Sequence, residues 1–144
     1  MENKDTILLL KECDAGSKMA VTSLDEVMEQ VTDEKLKNLL QKSKEHHEKL
    51  GNEIHSLLIN YHSEEKEPNP MAKGMSWLKT NMKMSMDKSD ATVADLLTDG
   101  CNMGIKSLYK YMNQYPSAGE QVKNLCNNLI DIERKLREDL RDYL

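Results

Sequence analysis

The chain has 144 residues, the size of one domain with a proper hydrophobic core. Charged residues make up 31% and apolar residues 38%, with no Phe and ten Met, a balance that suits amphipathic helices and disfavours a large β-sheet. The formal net charge is −5, and Lys and Arg are interleaved with Asp and Glu, so we expect no nucleic-acid partner.

Membrane and export signals are also missing from the sequence pattern. No apolar stretch approaches the roughly 18 residues that a membrane span needs, so we expect no membrane partner. The first residues lack the basic and apolar regions of a signal peptide. The three cysteines, Cys13, Cys101 and Cys126, are widely spaced and form no CxxC, so we expect reduced, buried thiols in a cytoplasmic protein.

Four long segments carry apolar residues at helical spacing. This spacing predicts helices over about 5–31, 34–61, 90–115 and 118–143. Thr32 and Asp33 are expected to form a short turn that can cap the second helix, and Ser89 or Asp90 is expected to cap the third. Ser117 and Glu120 have the spacing of a capping box, which predicts the start of the fourth helix.

Residues 62–89 form a crossover between the two predicted helix pairs, and this is far more chain than a tight turn needs. Apolar side chains recur at helical spacing within it, namely Met71, Met75, Leu78 and Met82, with Trp77 beside them. We therefore expect a short amphipathic helix along the bundle. A long crossover returns the chain to the end where it started, which predicts that the second and third long helices run parallel.

The second half of the chain repeats the first. Shifted by 84 positions, residues of the first helix meet their own type, among them Gly16 and Gly100, Met19 and Met103, Ser23 and Ser107, Leu24 and Leu108, Met28 and Met112. A shift of 86 relates the second and fourth helices in the same way. Because a duplicated helical hairpin buries its faces by pairing with its copy, the repeat predicts one four-helix bundle.

The order of hairpin, crossover and hairpin, with KGMSWLK at 73–79 and DGCNMG at 99–104, resembles a bacterial family of ferritin-like bundles of undefined function. The resemblance covers nearly the whole chain and implies an all-α, ferritin-like four-helix fold. The wider superfamily implies an oxygen-reactive di-iron or di-manganese centre. Such a centre takes a Glu from each of two helices and Glu-x-x-His from each of the other two.

The ligands of that centre are largely missing from this sequence. Ser17 and Cys101, which are repeat mates, stand at the inward positions where Glu is expected. The His position corresponds best to His47 and its repeat mate Glu133. Three residues before these stand Lys44 and Ile130. The sequence therefore predicts a bundle that has lost its di-iron site, with no cofactor expected.

Polar side chains still occupy the predicted inward faces: Asp14, Ser17, Ser43, His47, Cys101 and Glu133. One interpretation is a satisfied polar layer in which His47 donates to Glu133. A second is a mononuclear iron or zinc site formed by Cys101, His47 and Glu133, with Asp14 as a fourth ligand. A third is a small ligand held in a bundle cavity beside this layer.

The methionine-rich crossover is the other candidate site. Thioethers adapt to irregular surfaces, so Met71, Met75, Trp77 and Met82 either cover a groove of the bundle or form a partner surface. Loss of the ligands with intact apolar stripes favours a bundle without enzymatic activity that acts through a protein partner or as a homo-oligomer. The alternatives are a metal-binding or redox protein with a reduced ligand set, and a small-ligand carrier.

Overall fold

The computed structural model describes residues 4–61 and 77–144, and every regular element in these ranges is helical. The helices are α1 (Lys4–Met28), α2 (Glu34–Asn60), α3 (Trp77–Met84), α4 (Asp90–Gln114) and α5 (Glu120–Asp139). A short 3-10 helix, Leu140–Tyr143, follows α5 directly. The prediction of an all-α fold is confirmed for the described residues.

The predicted helix bounds differ from the observed ones by a few residues. The first helix ends at Met28 rather than at 31, although Val31 is still buried in the turn that follows. The last stretch of the fourth predicted helix tightens into the 3-10 helix. Of the apolar series predicted in the crossover, Leu78 and Met82 lie in α3, whereas Met71 and Met75 lie outside the described residues.

The four long helices pack as one bundle. α1 contacts α2, α4 and α5, and α2 also packs on α5. Two clusters of buried side chains fill the interior, one around Leu9, Leu58 and Leu129 and the other around Leu36 and Val93. Burying each Leu stabilises the fold by about 2 kcal/mol, so these clusters supply most of the force that assembles the helices.

Each turn within a helix pair is held by an aspartate of the other pair. In the first turn of α4, the Asp90 carboxylate accepts hydrogen bonds from the backbone N–H groups of Thr32, at 2.9 Å, and Asp33, at 2.8 Å. In the first turn of α1, the Asp5 carboxylate accepts from the N–H of Ser117 at 3.0 Å. α2 and α4 therefore begin at the same end of the bundle, and α1 and α5 begin together at the other.

Two of the predicted helix starts are confirmed, with Asp33 as the N-cap of α2 and Ser89 as the N-cap of α4. The predicted capping box of Ser117 and Glu120 is wrong. Gly119 is the N-cap of α5 and makes no side-chain cap hydrogen bond. Its N–H instead donates to Thr6 Oγ1 of α1 at 2.8 Å, so tertiary contacts with α1 replace the local cap.

α1 and α2 come into tight contact at Gly51. A Cβ atom at this position would lie 2.9 Å from Ser17 Oγ and 3.3 Å from Ser17 Cβ. Ser17 is buried, and its hydroxyl donates to the Asp14 carbonyl oxygen at 3.0 Å, which fixes the side chain in place. A glycine at 51 therefore permits the helix contact.

We expect Gly51→Ala to lower the free energy of unfolding by about 1–2 kcal/mol, because the added methyl group overpacks the contact. Gly100→Ala is the control, since a Cβ there meets nothing within 4 Å. The control is expected to stabilise α4 by about 0.5–1 kcal/mol through helix propensity. Urea unfolding of both variants measures the contrast, and equal effects would contradict the assigned clash.

Asp90→Ala is expected to lower the free energy of unfolding by about 1 kcal/mol at neutral pH, since three hydrogen bonds at an exposed site are lost. The Thr32 N–H is the main cause that lowers the pKa of Asp90. The Asp90 carboxylate therefore contributes its full share to the free energy of unfolding above its unfolded pKa. This share is lost as the pH falls through the folded pKa of Asp90. Urea unfolding at several pH values should show the two proteins converging in acid. Asp95→Ala, an exposed position of α4, is the control and should change little.

Candidate functional site

A histidine–carboxylate pair inside the bundle joins α2 to α5. His47 is 0% exposed, and its Nε2 lies 2.9 Å from Glu133 Oε1. Its Nδ1 lies 2.8 Å from the backbone carbonyl oxygen of Ser43, one turn earlier. Both ring nitrogens thus face acceptor oxygens, and an imidazole donates from both only when it is protonated. The geometry therefore suits a protonated imidazole at His47 that donates to both Glu133 and Ser43.

The surroundings of His47 raise its pKa. Burial is the largest single influence and lowers the pKa, because it disfavours the charged ring. The hydrogen bond and negative charge of Glu133, together with the Ser43 carbonyl, outweigh burial. The net effect of these contacts is to favour the protonated form of the His47 ring.

Cys101 of α4 lies against the same carboxylate. The thiol is buried, and burial, the charge of Glu133 and a hydrogen bond to Glu133 together raise its pKa far above the usual range. The protonated thiol therefore donates to Glu133. Because nucleophilic attack requires a thiolate, this environment does not activate Cys101 as a nucleophile.

Asp14 and Ser17 make their contacts elsewhere. Asp14 is fully buried, and its carboxylate lies 3.0 Å from Lys18 Nζ and 3.4 Å from Nδ1 of the half-buried His55. Ser17 donates to the backbone of its own helix. The structure thus brings His47, Glu133, Cys101 and Ser43 together, and leaves Asp14 in a separate cluster that the sequence did not reveal.

The donor groups do not fit a di-iron or di-manganese centre. Lys44 stands where a carboxylate is needed, and its Nζ lies 2.6 Å from Asp25. Ile130 is buried in the apolar core, and His47 already uses both ring nitrogens. Within residues 4–61 and 77–144, no three His, Cys, Asp or Glu side chains are grouped so that they could hold a metal ion.

A cleft of about 560 Å³ opens between α1 and α4, above the polar layer. His47, Cys101 and Glu133 line its floor, and only Glu133, 13% exposed, reaches its open space appreciably. The α1 wall includes Gly16, Met19, Ala20, Ser23 and Leu24, and the α4 wall includes Gly100, Met103, Gly104, Ser107 and Leu108.

The walls of this cleft carry the strongest part of the internal repeat. Four of the pairs that match under the shift of 84 line the cleft in both copies, namely Gly16 and Gly100, Met19 and Met103, Ser23 and Ser107, and Leu24 and Leu108. In the sequence, the matching residue types at these positions indicated a repeat and not a binding site. Their place on facing walls depends on how α1 packs against α4, so the sequence alone did not identify them as a site.

The described part of the crossover covers one end of the cleft. Trp77 is half-buried and lines the cleft together with the buried Leu78. Met82 is only 4% exposed and packs in the core, so the prediction that it belongs to a partner surface is wrong. The exposed methionines nearby are Met84 and Met86, at 79% and 103% exposure. The predicted surface residues Met71 and Met75 lie outside the described residues.

Comparisons of the chain with protein-family models, with curated proteins and with solved structures found no match. In the part of the chain that the structure describes, no helix has both the length and the apolar character needed to cross a membrane.

Glu133→Gln is expected to lower the pKa of His47, because the negative charge is lost while burial remains. NMR titration of the ring carbon and proton signals measures this, with His47→Asn identifying the resonance. Glu138→Gln, an exposed site on α5, is the control and should leave the titration unchanged. An unchanged His47 titration in Glu133→Gln would contradict the ion pair.

The same pair predicts how stability depends on pH. The pKa of His47 is raised in the folded protein. Protonated His47 therefore contributes fully to the free energy of unfolding below its unfolded pKa, and this contribution is lost as the pH rises through its folded pKa. The stability advantage of the wild type over Glu133→Gln should therefore shrink as the pH rises across that interval.

Proposed function

We propose that this chain is a ferritin-like bundle that has lost its di-iron centre and holds a small, mainly apolar molecule in the cleft between α1 and α4. The parallel course of α2 and α4, on either side of a long crossover, supports the ferritin-like arrangement. The cleft volume of about 560 Å³ lies within the range of small-molecule sites.

The observation that carries this proposal is the pattern of identity between the two copies. Some buried positions have diverged, since Leu10 aligns with Ala94, whereas others such as Leu50 and Leu136 are identical. On the cleft walls, three pairs that are not buried have kept their residue types: Gly16 and Gly100, Met19 and Met103, Ser23 and Ser107. Core packing does not require identity at positions that are not buried, so their retention on facing walls favours a binding role.

The glycines of the walls support the same conclusion. Gly16 and Gly100 lie within helices, where each costs about 1 kcal/mol relative to Ala. A Cβ atom at either position would meet nothing within 4 Å. Unlike Gly51, these glycines are not required by helix packing. Their effect is to leave space between α1 and α4, which a ligand can fill.

The shape of the site fits a carrier better than an enzyme. Leu, Met and Trp side chains are prominent in the mainly apolar lining of the cleft, and His47, Cys101 and Glu133 lie at its floor. In this arrangement, an apolar body gains free energy by leaving water, and a few polar contacts set its orientation. The protonated thiol of Cys101 and the paired His47 offer no activated nucleophile.

Titration with decanol, followed by calorimetry and by the fluorescence of Trp77, tests the proposal. Trp77 is the only tryptophan, so its emission reports occupation of the cleft. Gly100→Leu places a side chain in the empty space and is expected to weaken binding at least tenfold, which corresponds to about 1.4 kcal/mol.

Asn113→Leu adds the same side chain at an exposed position of α4 outside the cleft and should bind decanol as the wild type does. The proposal fails if the wild type does not bind decanol, or if Gly100→Leu binds it equally well. Sedimentation at each ligand concentration checks that the emission change does not arise from association of chains.

Action through a protein partner or as a homo-oligomer stays a prediction. Because Met82 is buried, it is not available to the partner surface that was expected on the crossover. A cytoplasmic location also stays a prediction. It is supported by three buried cysteines that are all free thiols, as is usual in a reducing compartment.

A further inference from the structure

Two buried cysteines meet where α1 packs on α5. Cys13 of α1 and Cys126 of α5 are both 0% exposed and belong to one cluster of core side chains. A hydrogen bond joins the two thiol groups. Cys126 Sγ also lies 3.9 Å from the backbone carbonyl oxygen of Leu108, to which its thiol donates. The two sulfur atoms therefore face each other between the first helix pair and the second.

The register of α1 and α5 explains this contact independently. The Gly119 N–H, at the start of α5, donates to Thr6 Oγ1 of α1 at 2.8 Å, and the two helices run in the same direction from that end. Cys13 follows Thr6 by seven residues, and Cys126 follows Gly119 by seven. Seven residues make about two helical turns, or roughly 10 Å, and return to the same face. The two cysteines thus lie at one level on facing sides of α1 and α5.

The internal repeat shows that packing alone does not call for this pair. Under the shifts of 84 and 86, Cys13 aligns with Leu97 and Cys126 aligns with Leu40. Both leucines are buried in the other core cluster, where α4 and α2 take the places of α1 and α5. The equivalent interior positions are thus filled by two leucines in one part of the bundle and by two thiols in the other. Unlike two leucines, two thiols in contact can be joined by a sulfur–sulfur bond.

The two thiols are not chemically equivalent. The pKa of Cys126 is lowered, chiefly by the hydrogen bond that Cys13 donates and against the effect of burial. The same hydrogen bond, followed by burial, raises the pKa of Cys13. Cys126 is therefore the sulfur that becomes a thiolate first, and the thiolate is the nucleophilic form of cysteine. Cys13 is held against it as a thiol.

We propose that Cys13 and Cys126 form an oxidation site, at which hydrogen peroxide or a similarly small peroxide joins the two helix pairs through a disulfide. A disulfide forms only between side chains that point at each other, and the paired thiols meet this condition. Both residues are 0% exposed, so the oxidant enters during small local openings of the packed helices. Hydrogen peroxide is little larger than water, whereas oxidised glutathione needs a much wider opening.

One molecule of peroxide balances the reaction. The Cys126 thiolate attacks one peroxide oxygen, the O–O bond breaks, and Cys126 becomes a sulfenic acid. The leaving hydroxide takes up the proton that Cys126 released and becomes water. Cys13 Sγ then attacks the Cys126 sulfur, the S–O bond breaks, and hydroxide leaves with the Cys13 proton as a second water. Two thiols are thus oxidised to one disulfide, and the peroxide is reduced to water.

The first test treats the folded wild-type protein with hydrogen peroxide, alkylates the remaining thiols under denaturing conditions, and maps the unreduced peptides by mass spectrometry. The expected product is a linked pair of peptides that carry Cys13 and Cys126, with Cys101 alkylated as the remaining thiol. The proposal is overturned by the absence of a disulfide, by a disulfide that includes Cys101 or joins two chains, or by a sulfinic acid at either residue.

The size of the oxidant is tested by comparing the folded protein with the unfolded chain in urea. Folding should slow the reaction with oxidised glutathione at least tenfold more than the reaction with hydrogen peroxide, because only the smaller oxidant passes through small openings. Equal slowing of the two reactions would overturn the assignment to small peroxides.

Thermal unfolding tests whether the bond links the two helix pairs. Peroxide treatment is expected to raise the Tm of the wild type by about 5–15 °C, because the cross-link restricts the unfolded chain. Cys101→Ala, at the third buried cysteine, is the matched control and should show the same rise. Cys13→Ala and Cys126→Ala should show neither the bond nor the rise, and circular dichroism checks that each is folded.

A wild-type Tm that does not rise, or an equal rise in either of these two variants, would overturn the assigned link. If neither variant folds, the peptide map and the Tm of the wild type and of Cys101→Ala decide the proposal.

Discussion

The buried ion pair of His47 and Glu133 is the contact on which the rest of the site depends. It connects α2 of the first hairpin with α5 of the second, and the His47 ring is fully buried at this point. A charged imidazole there is tolerated only because acceptors satisfy both ring nitrogens. The pair also fixes where Glu133 points, and this sets both the protonation of Cys101 and the chemistry of the cleft floor.

Much of the fold could be predicted from the sequence, because apolar spacing over four long segments leaves little choice of secondary structure. Helix ends were harder to predict. Ser117 and Glu120 have the spacing of a local cap, yet Thr6 and Asp5 of α1 hold that turn instead. Local motifs give way where a distant side chain supplies a better acceptor, and a single sequence does not show which distant residues meet.

The site was predictable only in part. The repeat relation between His47 and Glu133 was enough to place them in one layer, since equivalent positions of two hairpins face each other. The spacing along the first helix also placed Asp14 on the inward face, yet its carboxylate contacts Lys18 and His55 and not the His47 layer. The cleft was not predictable, because a glycine within a helix can have two opposite meanings. At Gly51 it permits close packing against α1, whereas at Gly100 it borders open space. Only the position of the opposing helix distinguishes the two cases.

The reciprocal aspartates at the two ends of the bundle have a consequence for folding. The turn of each hairpin is completed by a carboxylate of the other, Asp90 in one direction and Asp5 in the other. Each turn also has local hydrogen bonds, but the N–H groups of Thr32, Asp33 and Ser117 find these carboxylates only in the docked bundle. We therefore expect each turn to reach its full hydrogen bonding only when the two hairpins are packed together, which adds to the cooperativity of unfolding.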